Sequence, residues 1–238
     1  MATQQQVKTI EEFRAMPEEF QGAVRKIVIS HAVNELYGAQ VFDEPAIALA
    51  PDPYAKWLTC RVAMEEYGHH VRFKDLGTEL GIELHDMSPA TKKPLSIFEF
   101  PLKSWAEFCV IKLLADLAEI LQVEDLIQCS FHPLRKLARM TMPEERFHAK
   151  FGKDFCAELC QTEQGQRDVQ DAIDQYFPML PAFFGRPKTY RYFCDSRFIH
   201  LSAGVHQFWR LCVRYSKKMI YFFIVRTQHV SLMNRVEI

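Results

Sequence analysis

The stretch LTCRVAMEEYGHHVRFKDLGTEL, residues 58–80, repeats apolar residues at steps of three and four, as one face of an amphipathic helix requires. Two polar residues, Glu66 and His69, stand on that apolar line. The arrangement returns later in the chain, where Glu145 and His148 occupy the apolar stripe of another helix. Because a buried carboxylate is costly unless it is paired or bound to a cation, these two helices are predicted to enclose a polar site.

The segments around these two helices show the same periodicity. A first helix is predicted over residues 22–43, with a break at Asp43-Glu44-Pro45. A third helix follows Ser104, a good N-cap residue, and the fourth carries the second Glu-x-x-His pair. A fifth is predicted from about residue 164 to residue 177. Few glycines and many helix-forming residues favour the same all-α fold class.

The order of these helices predicts a particular fold. Gly81 suits the end of the second helix, and residues 84–103, with three prolines, are too long for a tight turn. Two helices, a long crossover and two further helices are the connectivity of a ferritin-like four-helix bundle. We therefore predict such a bundle, with the crossover between helices 2 and 3 and an extra C-terminal helical region.

Each of the other two bundle helices carries a carboxylate on its apolar stripe. Glu35 lies 31 residues before the first Glu-x-x-His pair, and Asp116 lies 29 residues before the second, so the two halves repeat one plan. Glu119 and Glu124 are rivals to Asp116. Glu119 falls off the stripe, and Glu124 would lie about two turns away along the axis, so Asp116 is preferred.

Four carboxylates and two imidazoles are a donor set that suits two iron ions, with positions left open for O2. The alternative is a set of ion pairs within a core, for instance each histidine with the glutamate of its own pair. The metal interpretation is favoured because four buried acids with few nearby Arg or Lys are otherwise hard to explain. The predicted ligands, which are also the predicted catalytic residues, are Glu35, Glu66, His69, Asp116, Glu145 and His148.

Composition excludes several other classes. The chain of 238 residues is 48% apolar, which is ample for a core, and no apolar run is long enough to span a bilayer. Seven cysteines without a C-x-x-C pair argue against a disulfide framework. With no signal-like N-terminus, the sequence predicts a soluble, cytoplasmic protein without nucleic acid or membrane partners.

The formal net charge of −1 combines two unlike regions. Residues 186–238 hold 10 of the 29 basic residues but only two of the 30 acidic residues, a net charge of +8, which leaves −9 on the remainder. This shift predicts three parts. They are an N-terminal extension over 1–20, a di-iron helical bundle over 21–185 and a basic aromatic tail of uncertain fold over 186–238.

Several short motifs resemble one known family. They are Ser96-Ile97-Phe98-Glu99-Phe100-Pro101 with Ser104-Trp105-Ala106, and Asp171-Ala172-Ile173 leading to Phe183-Phe184-Gly185. Residues from about 20 to 185 thereby resemble the catalytic (alpha) subunit of the ring-1,2-phenylacetyl-CoA epoxidase, a bacterial multicomponent di-iron monooxygenase. The resemblance places the family's iron ligands on the same six residues, including Glu35 in Asn34-Glu35-Leu36-Tyr37-Gly38 and the pair in Glu66-Tyr67-Gly68-His69.

The resemblance implies that the chain epoxidises the aromatic ring of phenylacetyl-CoA, an aryl-CoA thioester, using O2. Electrons from NADPH would arrive through a separate flavin and iron–sulfur reductase. The implied partners also include small accessory subunits and a metal-free helical scaffold subunit. Candidate walls of the substrate pocket are Phe42, Phe73, Phe98, Phe100 and Trp105.

Two features depart from the family pattern. Pro143 stands within the predicted fourth helix and is expected to kink it beside Glu145. No resemblance is evident after Gly185. These departures motivate an alternative function, that of a non-catalytic ferritin-like scaffold or interaction subunit of such a complex. Iron storage is a third hypothesis, although nothing beyond the ligand motifs resembles the storage family.

Overall fold

A computed structural model describes residues 6–92 and 95–184, and within these ranges all helices and turns belong to an all-α protein without strands. The predicted all-α, ferritin-like fold class is confirmed. None of the helices in the described ranges has both the length and the apolar character needed to cross a membrane. The helices are α1 Ile10–Arg14, α2 Glu18–Gly38, α3 Glu44–Leu49, α4 Pro53–Glu79, α5 Trp105–Ile127, α6 His132–Leu159 and α7 Glu163–Tyr176.

Capping side chains begin α4 and α5, and a glycine follows the end of α4, at the positions that the sequence predicts. The Asp52 carboxylate accepts hydrogen bonds from the first N–H groups of α4, and the Ser104 hydroxyl accepts one from the Glu107 N–H at 3.1 Å. Gly81, just beyond α4, has φ of 73°, a left-handed conformation that glycine adopts without steric cost. The predicted cap at Ser104 and stop at Gly81 are therefore confirmed.

Contacts along the helices give their directions. The Arg25 guanidinium near the start of α2 donates to the Leu80 carbonyl beyond the end of α4, so these two helices are antiparallel. Trp105 at the start of α5 packs on Phe155 near the end of α6, with ring centroids 5.2 Å apart, so this pair is antiparallel as well.

The two antiparallel pairs associate so that α4 and α5 run in the same direction. His31 on α2 contacts Glu119 on α5, and Asp43 just beyond α2 contacts Lys112 further back along α5, which makes α2 and α5 antiparallel. Helices that run in the same direction need a long connection. Residues 80–104 supply it, with 3-10 turns at Leu84–Met87 and Ser96–Glu99.

One predicted break is wrong. The chain does not leave the helical path at Asp43-Glu44-Pro45. A π-helical turn spans Ala39–Asp43, and α3 follows it directly. Pro45 lies in the first turn of α3, where a helix needs no N–H from that residue. Helix α6 likewise continues through Pro143.

The bundle has a polar layer between two apolar clusters. One cluster joins Ala55 and Val62 of α4 to the first half of α5 and the end of α6, and the other joins the first half of α2 to the end of α4 and the start of α6. All six predicted ligands lie between these clusters and are buried. The six side chains therefore lie at one level along the bundle axis, as their positions within the helices predict.

The ends of the described ranges also pack onto the bundle. Phe13 and Phe20 belong to the second apolar cluster, and Val7 donates its N–H to the Ser130 carbonyl at 3.0 Å. Helix α7 packs on α5 and supplies the predicted C-terminal helical region. The predicted boundaries after residues 20 and 185 remain predictions, and the basic aromatic tail over 186–238 lies outside the described residues.

Candidate metal centre

The structure brings the six predicted ligands together in two overlapping groups, in each of which the donor atoms lie within 4.8 Å of one another. Glu66 and Glu145 belong to both groups. Their role as ligands stays a prediction. The first group is Glu35, Glu66, His69 and Glu145, and the second is Glu66, Asp116, Glu145 and His148.

The two shared carboxylates each direct one oxygen towards each histidine. Glu66 Oε2 lies 3.4 Å from His69 Nδ1, and Glu66 Oε1 lies 3.1 Å from His148 Nδ1. Glu145 repeats this with its Oε1 at 3.0 Å and its Oε2 at 3.9 Å from the same two nitrogens. Both carboxylates would therefore be available to metal ions at either group of ligands.

Several of these atoms are buried without a hydrogen bond, which tests whether a metal fits. His69 Nδ1, His148 Nδ1, Glu145 Oε1 and Asp116 Oδ2 lie 3.0–3.2 Å from ionic partners but make no hydrogen bond of good geometry. Buried polar atoms are rarely left in this state. Inward-facing nitrogen and oxygen donors of this kind fit divalent or trivalent iron.

The outer nitrogen of each histidine is held by a glutamate from the opposite helix. His69 Nε2 lies 2.8 Å from Glu144 Oε2, and His148 Nε2 lies 2.9 Å from Glu65 Oε2. Each carboxylate accepts a hydrogen bond from the Nε2–H group. The Nδ1 atom then offers its lone pair towards the centre, where a metal ion would accept it. Each histidine therefore contacts a glutamate of the opposite helix as well as the glutamate of its own pair, and the alternative of ion pairs within a core stays open.

Arg72 reinforces one of these outer pairs. Its guanidinium donates to both oxygens of Glu144, with Nη2 to Oε1 at 2.9 Å. Burial opposes ionisation, but hydrogen bonds from His69 and Arg72 outweigh it and lower the pKa of Glu144 to about 2. Glu144 is therefore an anion that orients His69 at physiological pH.

Removing this outer carboxylate should weaken metal binding. We expect Glu144→Ala to lower metal affinity by about 10- to 100-fold, because His69 loses the partner that fixes its ring and tautomer. Glu144→Gln should recover part of that loss, since its amide oxygen still accepts a hydrogen bond. Competition titration against a coloured chelator measures the effect. Glu158→Ala, at an exposed site on α6, is the matched control, and equal loss there would contradict the assigned role.

Sequence reasoning missed Lys112, which lies inside the polar layer. Its side chain is 4% exposed, and its ammonium donates to Glu66 Oε1 and lies 3.2 Å from Asp116 Oδ2. Burial lowers the pKa of Lys112, but the carboxylates of Asp116, Asp43 and Glu66 outweigh it and raise the pKa well above its usual range. The cluster therefore contains a buried positive charge on Lys112.

Three more residues border the centre. Asp43, at the end of the π-helical turn, is 2% exposed, and burial raises its pKa to about 7. Glu119 does reach the site although it falls off the stripe, because it contacts His31 Nδ1 at 3.0 Å. Glu119, His31 and Glu35 form a third group of acid and histidine side chains. Burial raises the pKa of Glu35 to about 7.

A cavity of about 230 Å³ opens onto the polar layer, and both apolar side chains and charged ones, among them Glu35, Glu66 and Lys112, line it. Residues of the crossover line it, among them Ile97 and Phe98, and Phe98 packs on Phe42 with ring centroids 5.4 Å apart. A Cβ at Gly38 would lie 3.3 Å from the Phe98 ring, so the glycine after Tyr37 lets the crossover approach α2 closely.

Two of the five predicted pocket walls line this cavity, namely Phe42 and Phe98. The other three do not. Phe73 stacks on His31 at 4.5 Å, Trp105 packs among aromatic rings of α5 and α6, and Phe100 is 39% exposed. Aromatic residues on a helix stripe are more often core than pocket, and here Phe73 and Trp105 are core.

The sequence matches the family described as phenylacetic acid catabolic protein over residues 1–212. The chain belongs to this family. The match also extends beyond Gly185, where the resemblance found in the short motifs ends. Membership of the phenylacetic acid catabolic protein family confirms the predicted resemblance and connects the chain with phenylacetate catabolism.

A relative in Escherichia coli (strain K12) is one of the subunits of 1,2-phenylacetyl-CoA epoxidase, to which the chain is 29% identical over 174 residues. This alignment covers 71% of the chain and 56% of the relative, so the chain spans about half the length of the relative it matches. Independently of this similarity, the chain carries buried carboxylate and histidine clusters that could hold metal ions.

Proposed function

We propose that this chain is the catalytic subunit of a multicomponent di-iron monooxygenase that epoxidises the aromatic ring of phenylacetyl-CoA. The observation that carries the proposal is the pair of buried ligand groups that share Glu66 and Glu145 and open onto a cavity that aromatic and aliphatic side chains partly line. Membership of the phenylacetic acid catabolic protein family supports the pathway, and the name of the Escherichia coli relative supports the reaction and the thioester.

Each group of ligands would hold one iron ion, with Glu66 and Glu145 shared between them. A bound iron pair would supply the activation of O2 by electrons from NADPH, so that one oxygen atom enters the ring and the other leaves as water. The chain's own residues prepare this site. Glu65 and Glu144 hold the rings of His148 and His69, and the two apolar clusters flank the layer along the bundle axis.

The cavity provides a place for the aromatic ring. Its volume of about 230 Å³ exceeds the roughly 150 Å³ that holds benzene in an apolar cavity, and the apolar part of its lining is where a ring would pack. Phe42 and Phe98 offer ring faces and edges, while Glu35 and Glu66 lie on the wall that faces the metal positions. The cavity therefore orients the ring towards the centre and leaves the polar coenzyme to bind elsewhere.

The proposed enzyme needs further chains. The relative is one part of a multi-subunit protein, and we propose that this chain likewise works with small accessory subunits and a metal-free helical scaffold subunit. A separate flavin and iron–sulfur reductase would deliver the electrons of NADPH. The complex would act in the cytoplasm, where coenzyme A thioesters and NADPH are produced.

The test is turnover of phenylacetyl-CoA by the iron-loaded chain, assembled with its partner subunits and supplied with NADPH and a competent reductase. We expect oxygen from 18O2 in the ring epoxide and NADPH oxidation that depends on the thioester. His69→Ala should abolish both, while Cys60→Ser, at an exposed site on α4, should change neither. Iron bound at full stoichiometry without thioester turnover would contradict the substrate assignment.

The second candidate function is a non-catalytic scaffold subunit, and Lys112 is the observation that favours it. A buried ammonium among carboxylates supplies part of the positive charge that a metal would bring. A scaffold chain would purify with negligible iron, and added iron would not raise its folding stability. A catalytic chain would bind iron and would lose iron-dependent stabilisation in a Glu66→Ala/His148→Ala variant.

A further inference from the structure

Lys112 does not contact the two ligand groups equally. Its ammonium donates to Glu66 Oε1, the oxygen that faces His148, and not to Glu66 Oε2, which faces His69. It also lies 3.2 Å from Asp116 Oδ2, and Asp116 belongs to the second group alone. The contacts of Lys112 therefore fall on the oxygens of the second metal position.

An ammonium and a metal ion cannot use these oxygens together. Both groups are cations that need the same lone pairs, and the surrounding side chains are buried, so solvent screens their repulsion weakly. A metal ion at the first position keeps Glu35, His69, Glu145 and Glu66 Oε2, none of which forms a hydrogen bond with Lys112. The first position is thus open to a metal while Lys112 stays where it is.

Asp43 offers a place to which the ammonium can turn. Its Oδ1 atom lies 3.7 Å from Lys112 Nζ, is buried and has no hydrogen bond. Asp43 belongs to neither of the two predicted ligand groups. A small rotation of the flexible lysine stem would exchange Glu66 and Asp116 for this carboxylate.

We infer that the two metal positions are unequal, because the Lys112 ammonium competes with the metal ion at the position built by Glu66, Asp116, Glu145 and His148. The first ion binds at the Glu35 side, and the second binds only when the ammonium moves to Asp43. This inference rests on the proposed metal centre, and it adds an order of loading to it.

The test is anaerobic titration of the full-length chain with Co(II), whose visible absorption reports each ligand set, alongside calorimetry. The wild-type chain should bind two ions in two steps that differ by about tenfold or more in Kd. Lys112→Met keeps the length of the stem and removes the charge, so it should tighten the second step by about tenfold and leave the first nearly unchanged. Lys150→Met, at an exposed lysine on α6, should change neither step.

Asp43→Asn separates a moving ammonium from a general charge effect. In the wild-type background it should weaken the second step further, because the displaced ammonium loses the negative charge of its new partner. In the Lys112→Met background it should have a much smaller effect on that step. Equal effects in both backgrounds would overturn the assigned movement.

The remaining outcomes are equally decisive. Two ions bound by the wild-type chain with one common affinity would overturn the inference and leave the proposed function intact, and this result does not depend on whether any variant folds. A chain that binds no Co(II) in any variant would overturn both the inference and the metal centre. Circular dichroism of each variant confirms that the comparison is made between folded chains.

Discussion

Gly152→Ala should destabilise the folded chain by about 2 kcal/mol or more, because overpacking outweighs the gain in helix propensity. A Cβ at this position would lie 2.3 Å from the Leu113 backbone nitrogen and 2.6 Å from the Cys109 carbonyl oxygen. Both are backbone atoms of α5, so they cannot move away as the end of a flexible side chain can. The glycine therefore determines how closely α5 and α6 approach.

The same substitution should also disturb the metal centre. The clash falls on α5 at Lys112 and Leu113, one turn before Asp116, so moving α5 outward withdraws Asp116 from the second ligand group. Urea denaturation measures the change in the free energy of unfolding, and Co(II) titration measures the second step. Gly22→Ala is the matched control, because a Cβ at that position meets nothing within 4 Å. This substitution should stabilise α2 by about 0.5–1 kcal/mol. Wild-type stability of Gly152→Ala would contradict the close approach of the two helices.

Replacing the two shared carboxylates should have the largest effect on metal binding. We expect Glu66→Gln/Glu145→Gln to lose more than about 100-fold in affinity at both positions, beyond the range seen when only an outer partner is removed. Each residue offers one oxygen to each histidine side of the centre, so no ligand group survives intact. Glutamine keeps the shape and removes the charge, which limits the change in packing.

Two single variants provide an internal comparison for this prediction. Glu35→Gln removes a ligand of the first group only, and Asp116→Asn removes a ligand of the second group only. Each should weaken one step of a metal titration and largely spare the other. If Glu35→Gln and the double variant gave the same profile, the two groups would not be separate metal positions.

The height of the ligand layer along the bundle axis can be predicted from the sequence, because it depends only on helix periodicity. Glu66 and His69 stand on an apolar stripe, and the two halves of the chain repeat one plan, so the matching heights of Glu35 and Asp116 follow from short antiparallel connections. The structure brings these residues together in one layer. Ser104 and Gly81 are equally predictable, because capping depends on local backbone geometry.

The missed residues depend on how helices cross. Glu65 and Glu144 each precede a predicted ligand and lie one residue off the stripe, and only the packing of α4 against α6 makes them meet the opposite histidine. A signal was present, because Glu-Glu-x-x-His occurs in both halves. Comparing the two halves residue by residue would have revealed both outer carboxylates.

Lys112 and Asp43 were missed for different reasons. Lys112 lies between Ile111 and Leu113 in an apolar run, and a single lysine there gives no indication of which carboxylates surround it. Asp43 precedes Pro45 and was interpreted as part of a break, whereas a π-helical turn carries it into the site. Such turns arise from tertiary packing and are frequent at functional sites, so periodicity alone does not predict them.

The most direct test of the account is the iron content of the wild-type chain after anaerobic titration with Fe(II) and removal of unbound metal. We expect two iron ions per chain at saturation, the second bound more weakly, and almost none in Glu66→Gln/Glu145→Gln. Iron no higher in the wild-type chain than in that variant, with both chains folded, would contradict the claim that the polar layer is a two-metal centre.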